Sequence, residues 1–448
     1  MKKVIIAIFA LGFSLSGYAQ THLTLEQSKS LALQNNSKVK NSELEVGAAQ
    51  EIKKEAYTNY FPKVSATAMG MQAIDPLLEM KMQGGNLPVY DGNPANLGNA
   101  TQFAYMPDVN IGLFNQMALG YINVLQPVYA GGKIKTGNKM TDLNIEVKQK
   151  LQKLSENEVL LKTEQQYWQV IAIQEKQKTL DNYIKFLDTL YNQTNTAYKN
   201  GVIIKNDVLK VTIKQSELKV NKTQLENGKK LSLMQLCQTI GMEYDPEIIL
   251  DDNLNDLSVP QTYFVSNSAV LPNRVEYQLL EKAVTGAKLE TQLKKGDYLP
   301  TFGVGLSGYY LDQFESNQKG AFNGMVYASL SVPISDWWGG KHKLNELKYK
   351  EKIAQNTLND NKGLLNLQME KAWTDLTEAD KKVHLIEETL AQTIENLKVN
   401  QDSYNNGLIQ LSDLLEARAL KAETEDKLIE AKSQYKTAIT NYLLVTGR

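Results

Sequence analysis

Apolar and polar positions along this chain follow two different periods, and the switches between them mark its parts. Period two appears in "TFGVGLSGYY" at 301–310 and "MVYASLSVPI" at 325–334. Phe302, Val304, Leu306 and Tyr310 fall on one face of the first segment, with Thr301, Gly303, Gly305 and Ser307 opposite. Val326, Ala328, Leu330, Val332 and Ile334 form the matching face of the second, so the pair predicts a β-hairpin. "KVSATAMG" at 63–70 and "YINVLQPVY" at 121–129 repeat the pattern, weakened by Asn123 and Gln126. The first hairpin is expected to be tipped by an irregular Pro/Gly-rich loop over 72–116.

Elsewhere the period is helical, and the helices are long. No Gly or Pro interrupts 138–200, and only Gly363 interrupts 341–406. At 1.5 Å per residue each of these stretches makes a helix about 95 to 100 Å long. Shorter helical segments are expected at Thr24–Tyr60, Asp207–Ile240, Arg274–Tyr298 and Leu411–Tyr442. Two short helices end to end match one long helix running back, which buries an apolar seam along the full length.

The chain is a tandem repeat. "AYKNGVIIKNDVLK" at 197–210 and "SYNNGLIQLSDLLE" at 403–416 align without gaps at an offset of 206, and Pro127 and Pro333 differ by the same 206. The expected organisation is a removed leader at 1–19, a first repeat at 20–270 and a second at 271–448. The strand-to-helix junctions "QPVYAGGKIK" at 126–135 and "VPISDWWGGKHK" at 332–343 also correspond, which marks Gly131, Gly132, Gly339 and Gly340 as hinge candidates.

Composition then sets the compartment. Lys2 and Lys3, an apolar run, and Gly17 and Ala19 form a secretory signal pattern. Loss of those two lysines takes the net charge from −1 to −3, which gives no basis for nucleic-acid binding. No later apolar run approaches the roughly 18 to 20 residues of a spanning helix. Alternating strands of about ten residues remain suited to a membrane barrel. Aromatics gather where the strands begin and end: Tyr57, Tyr60 and Phe61, Tyr129, Tyr298, Tyr309 and Tyr310, Trp337 and Trp338. That placement reads as an interfacial belt, set against ordinary packing at a bend. Four strands cannot close a barrel, and open edges cannot face lipid, so copies must combine. Two give eight strands, a barrel filled by its own side chains; three give twelve and a pore.

Chemistry is sparse. His22, His342 and His384 are scattered, and Cys237 sits in an apolar helical context. "GVGLSG" at 303–308 matches G-x-G-x-x-G but lies within a strand pattern, so no nucleotide site is expected. No enzymatic activity, cofactor or metal is expected. Six of the twelve methionines fall between Met69 and Met117, where thioethers for soft metal ions compete with simple apolar filling.

In the order and spacing of these features the chain resembles the TolC family of outer-membrane efflux proteins. The resemblance rests on the opening "LTLEQSKSLALQNNSKVKNSELEVGAAQEIKKEAYTNYFPKVSATA", the glycine-marked junctions and the two Y-x-N-G helical tips. It implies an α+β membrane protein, a trimeric channel-tunnel with four strands per protomer in a shared 12-stranded outer-membrane β-barrel above a periplasmic α-helical coiled-coil barrel. It further implies a homotrimer in outer-membrane lipid that works with a periplasmic adaptor and an inner-membrane transporter in efflux or type I secretion. Matching the tip motif, the resemblance pairs Tyr404 with Asp207 at a gate beside Gly201 and Gly407, and places Asp413 and Glu416 on an acidic lumen ring. Ile409 stands where family members often carry arginine, so a charge-based second tie is not expected. For Asp207 and Asp413 the competing role is a favourable charge at a helix start. Two other readings stay in view, a heavy-metal efflux component and a non-conducting periplasmic coiled-coil strut or adhesin.

Overall fold

The computed structural model describes residues 22–113, 115–313 and 320–448; the expected leader at 1–19 lies outside them. The chain divides into two compact units, one of residues up to Ala49, Leu143–Thr285 and Lys352–Arg448, the other of Gln50–Asp142 and Gly286–Glu351. Neither follows the repeat boundary; each takes segments from both repeats.

In chain order the elements are β1 (His22–Leu23), α1 (Leu25–Asn35), α2 (Ser37–Tyr57), β2 (Lys63–Gln72), β3 (Leu78–Met82), β4 (Gly85–Pro88), β5 (Phe103–Met106), β6 (Val109–Leu113) and β7 (Gln116–Ala130). Then come α3 (Lys133–Lys199), α4 (Lys205–Ile240), β8 (Ile249–Leu250), α5 (Asn267–Val270), α6 (Val275–Gly296), β9 (Thr301–Gln313), β10 (Ala321–Ser331), α7 (Asp336–Asn405) and α8 (Leu411–Val445). The two long helices therefore have 67 and 70 residues.

The first unit is helical. Its core joins α1, α3 and α4 through Ala32, Tyr167, Ile171, Leu236 and Ile240, with Cys237 buried among them as expected. Burial pushes that thiol's pKa up and keeps it inert. The linker between repeats is strapped down by buried tyrosines. The Tyr167 hydroxyl lies 2.6 Å from an Asp252 oxygen, and the same oxygen accepts the Leu25 N–H at 2.8 Å. Tyr435 donates to the Ser258 carbonyl, and Tyr442 accepts the Val265 N–H at 3.2 Å. The β1 and β8 pair is parallel, with His22 opposite Ile249.

One helix expected from sequence is two. The segment Thr24–Tyr60 breaks at Asn36, whose backbone is extended at φ −63° and ψ 128°. The asparagines serve another helix: Asn36 Nδ2 donates to the Thr239 carbonyl at 2.8 Å and Asn35 Nδ2 to the Ile240 carbonyl at 3.4 Å, capping the end of α4. Asn36 Oδ1 also accepts the Lys38 N–H at 2.9 Å, which starts α2.

The second unit holds an antiparallel sheet of order β10-β9-β7-β2. The two repeats contribute a hairpin each, as the alternation predicts. The segment 72–116 departs from the expected irregular loop. It carries two further antiparallel ladders, with Met80 opposite Ile111 and Leu87 opposite Ala104, and a short 3-10 turn at Pro94–Asn99. These strands are only four or five residues long, so the alternation is too brief to register between the surrounding Gly and Pro.

Candidate functional site: an apolar sheet face and a paired helical tip

Within the sheet, register decides which residues share a face. Phe302, Val304, Leu306 and Tyr310 of β9 stand opposite Leu330, Ala328, Val326 and Phe322 of β10. On the other side Leu306 pairs with Val124 and Gly308 with Ile122 of β7, which pair in turn with Val64 and Ala66 of β2. Every one of these positions is even-numbered, and together they form one apolar face four strands wide. It is exposed: Val326 keeps 82% of its surface and Leu330 69%. A free apolar face of this extent does not persist in water.

The odd-numbered face is more polar. It carries Thr301, Ser307, Asn123, Ser65, Asn323 and Ser329 at register positions between the apolar ones. Tyr327 lies flat across it, its ring against Gly305 of β9, and donates its hydroxyl to Asn123 Oδ1 of β7 at 2.8 Å. A Cβ on Gly305 would sit 2.3 Å from that ring, so the glycine makes room for a cross-strand aromatic. "GVGLSG" is accordingly strand and supports no pyrophosphate. Among the described residues both outer strands, β2 and β10, are paired on one side only.

At the end of the sheet where β2 begins and β10 ends, Tyr57, Tyr60, Phe61, Tyr129, Trp337 and Trp338 are gathered and exposed, Tyr298 is partly buried, and Tyr309 and Tyr310 lie toward the opposite end, opposite Asn323 and Phe322. Tyr60 and Phe61 stand 5.4 Å and 5.7 Å from the Tyr57 ring, Tyr129 is opposite Phe302, and Trp337 Nε1 donates to the Tyr298 carbonyl at 2.8 Å. Trp338 is 80% exposed.

The two junctions differ. Gly131 and Gly132 both take left-handed backbone, φ 63° and 77°, immediately before α3. Gly131 also presses on Gly296, where a Cβ would come within 2.3 Å of the carbonyl oxygen. Gly339 and Gly340 lie instead inside the first turns of α7. Gly340 is needed for contact: a Cβ there would meet the Tyr298 ring at 2.9 Å. At the second junction, then, the Gly-Gly pair is helical and the backbone turn comes before it, at 334–335.

In the helical unit the repeats give two tips with the same backbone. Gly201 and Gly407 have φ 74° and 73°. Val202 N–H donates to the Ala197 carbonyl and Leu408 N–H to the Ser403 carbonyl, both at 2.9 Å, the Schellman pattern that ends a helix at glycine. The hairpins meet around a cavity of about 750 Å³ lined by residues of both, including Ile204, Asp207, Lys210, Tyr404, Ile409 and Gln410. Beneath it Leu187 and Leu190 of α3, Val211 of α4, and Leu411 and Leu414 of α8 are buried together.

Tyr404 and Asp207 are brought to this one cavity, yet no hydrogen bond joins them. Asp207 pairs with Lys210 at 3.5 Å. Partial burial first, and the Asp207 charge second, raise the phenol's pKa. Asp413 and Glu416 are both exposed, on a stretch where Leu414 and Ala417 are buried. Asp413 also accepts the Gln410 N–H at 3.2 Å, so the helix-start role is present. The methionines of 69–117 are spread over three separate ladders, with Met71 opposite Met117, Met80 opposite Ile111 and Met106 opposite Gly85.

Sequence reasoning passed over Arg418. It is 4% exposed on α8, its guanidinium carbon 4.4 Å from the Tyr183 ring centre and 5.7 Å from that of Phe186, both on α3. Among the described residues no carboxylate forms an ion pair with it, and Arg418 Nη1 and the Tyr183 hydroxyl are both buried without hydrogen-bond partners. Loss of solvent lowers the Arg418 pKa and lifts that of Tyr183 to about 12. A cation–π contact returns about 2 kcal/mol when desolvated, against several kcal/mol for burying an ion. Eight residues on, Asp426 also has a buried, unpartnered oxygen, and burial raises its pKa to about 6. Nothing local in the sequence announces either residue, because their surroundings come from a helix some two hundred positions away.

A family model described as outer membrane efflux protein matches residues 269–448. No curated protein matches by sequence. Among solved structures, the CmeC outer membrane channel of Campylobacter jejuni is similar over 94% of this chain and 85% of its own, with a TM-score of 0.71 and 14% identity. VceC, an outer membrane protein of Vibrio cholerae, is similar over 94% and 96%, at 0.70 and 12%. The MtrE outer membrane channel of Neisseria gonorrhoeae, solved in its open state, is similar over 94% and 88%, at 0.71 and 14%. The second repeat thus matches the outer membrane efflux protein family by sequence, and the chain shares the fold of these channels over nearly its whole length.

Proposed function

We propose that this chain is the outer-membrane duct of an export system, a passive homotrimer that carries cargo from periplasm to exterior and catalyses no reaction. The observation that carries this reading is the sheet, apolar on one face, polar on the other and unpaired at both edges. Lipid satisfies the first face and a water-filled lumen the second. The open edges are satisfied only by further strands, and three protomers supply the twelve that leave a pore. A helical strut or adhesin has no use for such a sheet. The exposed aromatics at its β2-start end suit the lipid headgroup level.

The helical tips suit the closing end of the duct. Tyr404 and Asp207 stand beside the cavity where the two hairpins meet, and Asp413 with Glu416 offers carboxylates that threefold symmetry would gather into a ring of six. Val202, Ile204 and Leu408 are strongly exposed at the turns, which fits docking of an adaptor that links the duct to an inner-membrane transporter. Gly131 and Gly132 serve as one strand-to-helix hinge.

Fractionation followed by native mass measurement in detergent tests the reading. The expected result is recovery in the outer membrane as a trimer that dissociates on heating. A soluble monomer would overturn it.

A further inference from the structure

The buried guanidinium of Arg418 has no role in the export reading so far, and the molecule bears a cost to keep it. The residue lies on the α8 face that packs against α3, close behind the tip, where Leu411 and Leu414 of the same face are fully apolar partners of Leu187 and Leu190. Its equivalent in the first repeat, 206 residues earlier, is Thr212, a small residue whose hydroxyl bonds to its own helix at the Val208 carbonyl. The cation is therefore an addition of the second repeat and not a requirement of the shared backbone. Charged groups near it are already engaged: Glu425 pairs with Lys421 at 2.8 Å and Glu217 with Lys214 at 2.7 Å. On the same helix and toward the same partner, Asp426 repeats the pattern with an unpartnered buried oxygen, while the nearby Lys176 pairs with Glu430. Two buried charged groups on one seam, each with an atom that has no hydrogen-bond partner, are a local departure from the rule that buried ions are paired, and such departures concentrate where a protein must yield.

We propose that Arg418 is a built-in destabiliser of the α3–α8 seam, a positioning residue that keeps the tip only weakly closed so that an engaging partner can open it. In the packed arrangement the cation is held by two ring faces, and among the described residues no carboxylate is within ion-pair distance; Glu425, itself paired with Lys421, acts on it only at longer range. Separation of α8 from α3 returns the guanidinium to water, so the ion favours the separated state. Its stacking on Tyr183 and Phe186 offsets only part of that preference. The rings set where the charge rests, and the missing carboxylate sets how readily it leaves. This rests on the duct reading, and the test is chosen to separate the two.

Arg418→Met replaces the ion by an apolar chain of similar length, and Arg418→Lys keeps the charge without the planar stacking surface. Two readings are made on the trimeric protein in detergent and in planar bilayers: the midpoint of thermal unfolding, and the frequency of spontaneous openings. Arg418→Met should unfold several degrees higher and open about tenfold less often than the unaltered protein. Arg418→Lys should unfold lower and open more often. A merely structural clamp predicts the reverse for Arg418→Met, a lower midpoint with more openings, and that result would overturn the proposal, as would a midpoint and opening frequency both unchanged. If no variant conducts at all, the duct reading fails, while the thermal midpoint still decides whether Arg418 destabilises the seam.

Discussion

The two tips share a backbone and differ in charge. At the first, Asp207 is followed by Lys210 and paired with it at 3.5 Å. At the equivalent places of the second, Asp413 is followed by Glu416, and both carboxylates are exposed. Tyr404 is half-buried at the shared cavity, whereas its counterpart Tyr198 is exposed. Duplication thus preserved what the fold demands, a left-handed glycine and the bonds that end a helix. It released the side chains that do not set the fold, and the second repeat collected the acids, Arg418 and Asp426. The junctions teach the same lesson in reverse, because there an identical Gly-Gly dipeptide serves two different backbones.

The largest effect expected concerns those junctions. Gly131→Ala would force a left-handed alanine against the Gly296 carbonyl and should cost about 2 to 4 kcal/mol, read as a lower unfolding midpoint and reduced trimer yield. Gly339→Ala, in open space on a helix, should instead stabilise by about 0.5 kcal/mol. Equal effects at the two sites would abolish the distinction between the junctions.

Charge at the tips comes next. Alanine at both Asp413 and Glu416 should move the reversal potential in a salt gradient toward zero and remove block by divalent cations from the periplasmic side, without loss of trimer. Lys210→Glu, which gives the first tip the acids of the second, should raise cation preference. Persistent cation selectivity in the double alanine variant would place the constriction elsewhere.

Asp426 should give the seam a pH dependence that its first-repeat counterpart Val220 cannot. Its folded pKa of about 6 lies above the ordinary value of 3.8, so the folded state holds the proton more tightly than the unfolded. Stability contributed by the protonated form is full below about pH 4 and is lost as pH rises through 6. Asp426→Asn should therefore stabilise at pH 7 by about 1 to 2 kcal/mol, allowing for screening at a partly exposed group, and flatten the unfolding midpoint between pH 4 and 6. A decline of the same steepness in the variant would assign the titration to another group. The smallest effect belongs to Tyr404→Phe. With no hydrogen bond from its hydroxyl to Asp207, the change should alter opening by less than about 0.5 kcal/mol, and a larger shift would show that the bond forms in the trimer.

The sequence made much of this legible, for physical reasons. Long helices without Gly or Pro, tips closed by glycine, and alternation in 301–310 are local patterns, and local forces set them. The break at Asn36 was not legible, because it answers to the far end of α4. The helical placement of Gly339 and Gly340 was not legible either, because only Gly340 answers to a neighbour, the Tyr298 ring, which the dipeptide does not encode. Val326 and Leu330 could be assigned to one face from alternation alone. Which residues of α3 would surround Arg418 could not, because periodicity gives the face of a helix but not its partner.

On the proposed function, three copies of the one-sided sheet enclose a conducting lumen. Single-channel recording of the purified trimer in planar bilayers tests it most directly. Discrete, long-lived conductance steps are expected, preferring cations and blocked by divalent cations from the side bearing the helical tips. A trimer that inserts and produces no steps, including after the Asp413 and Glu416 substitutions, would contradict it.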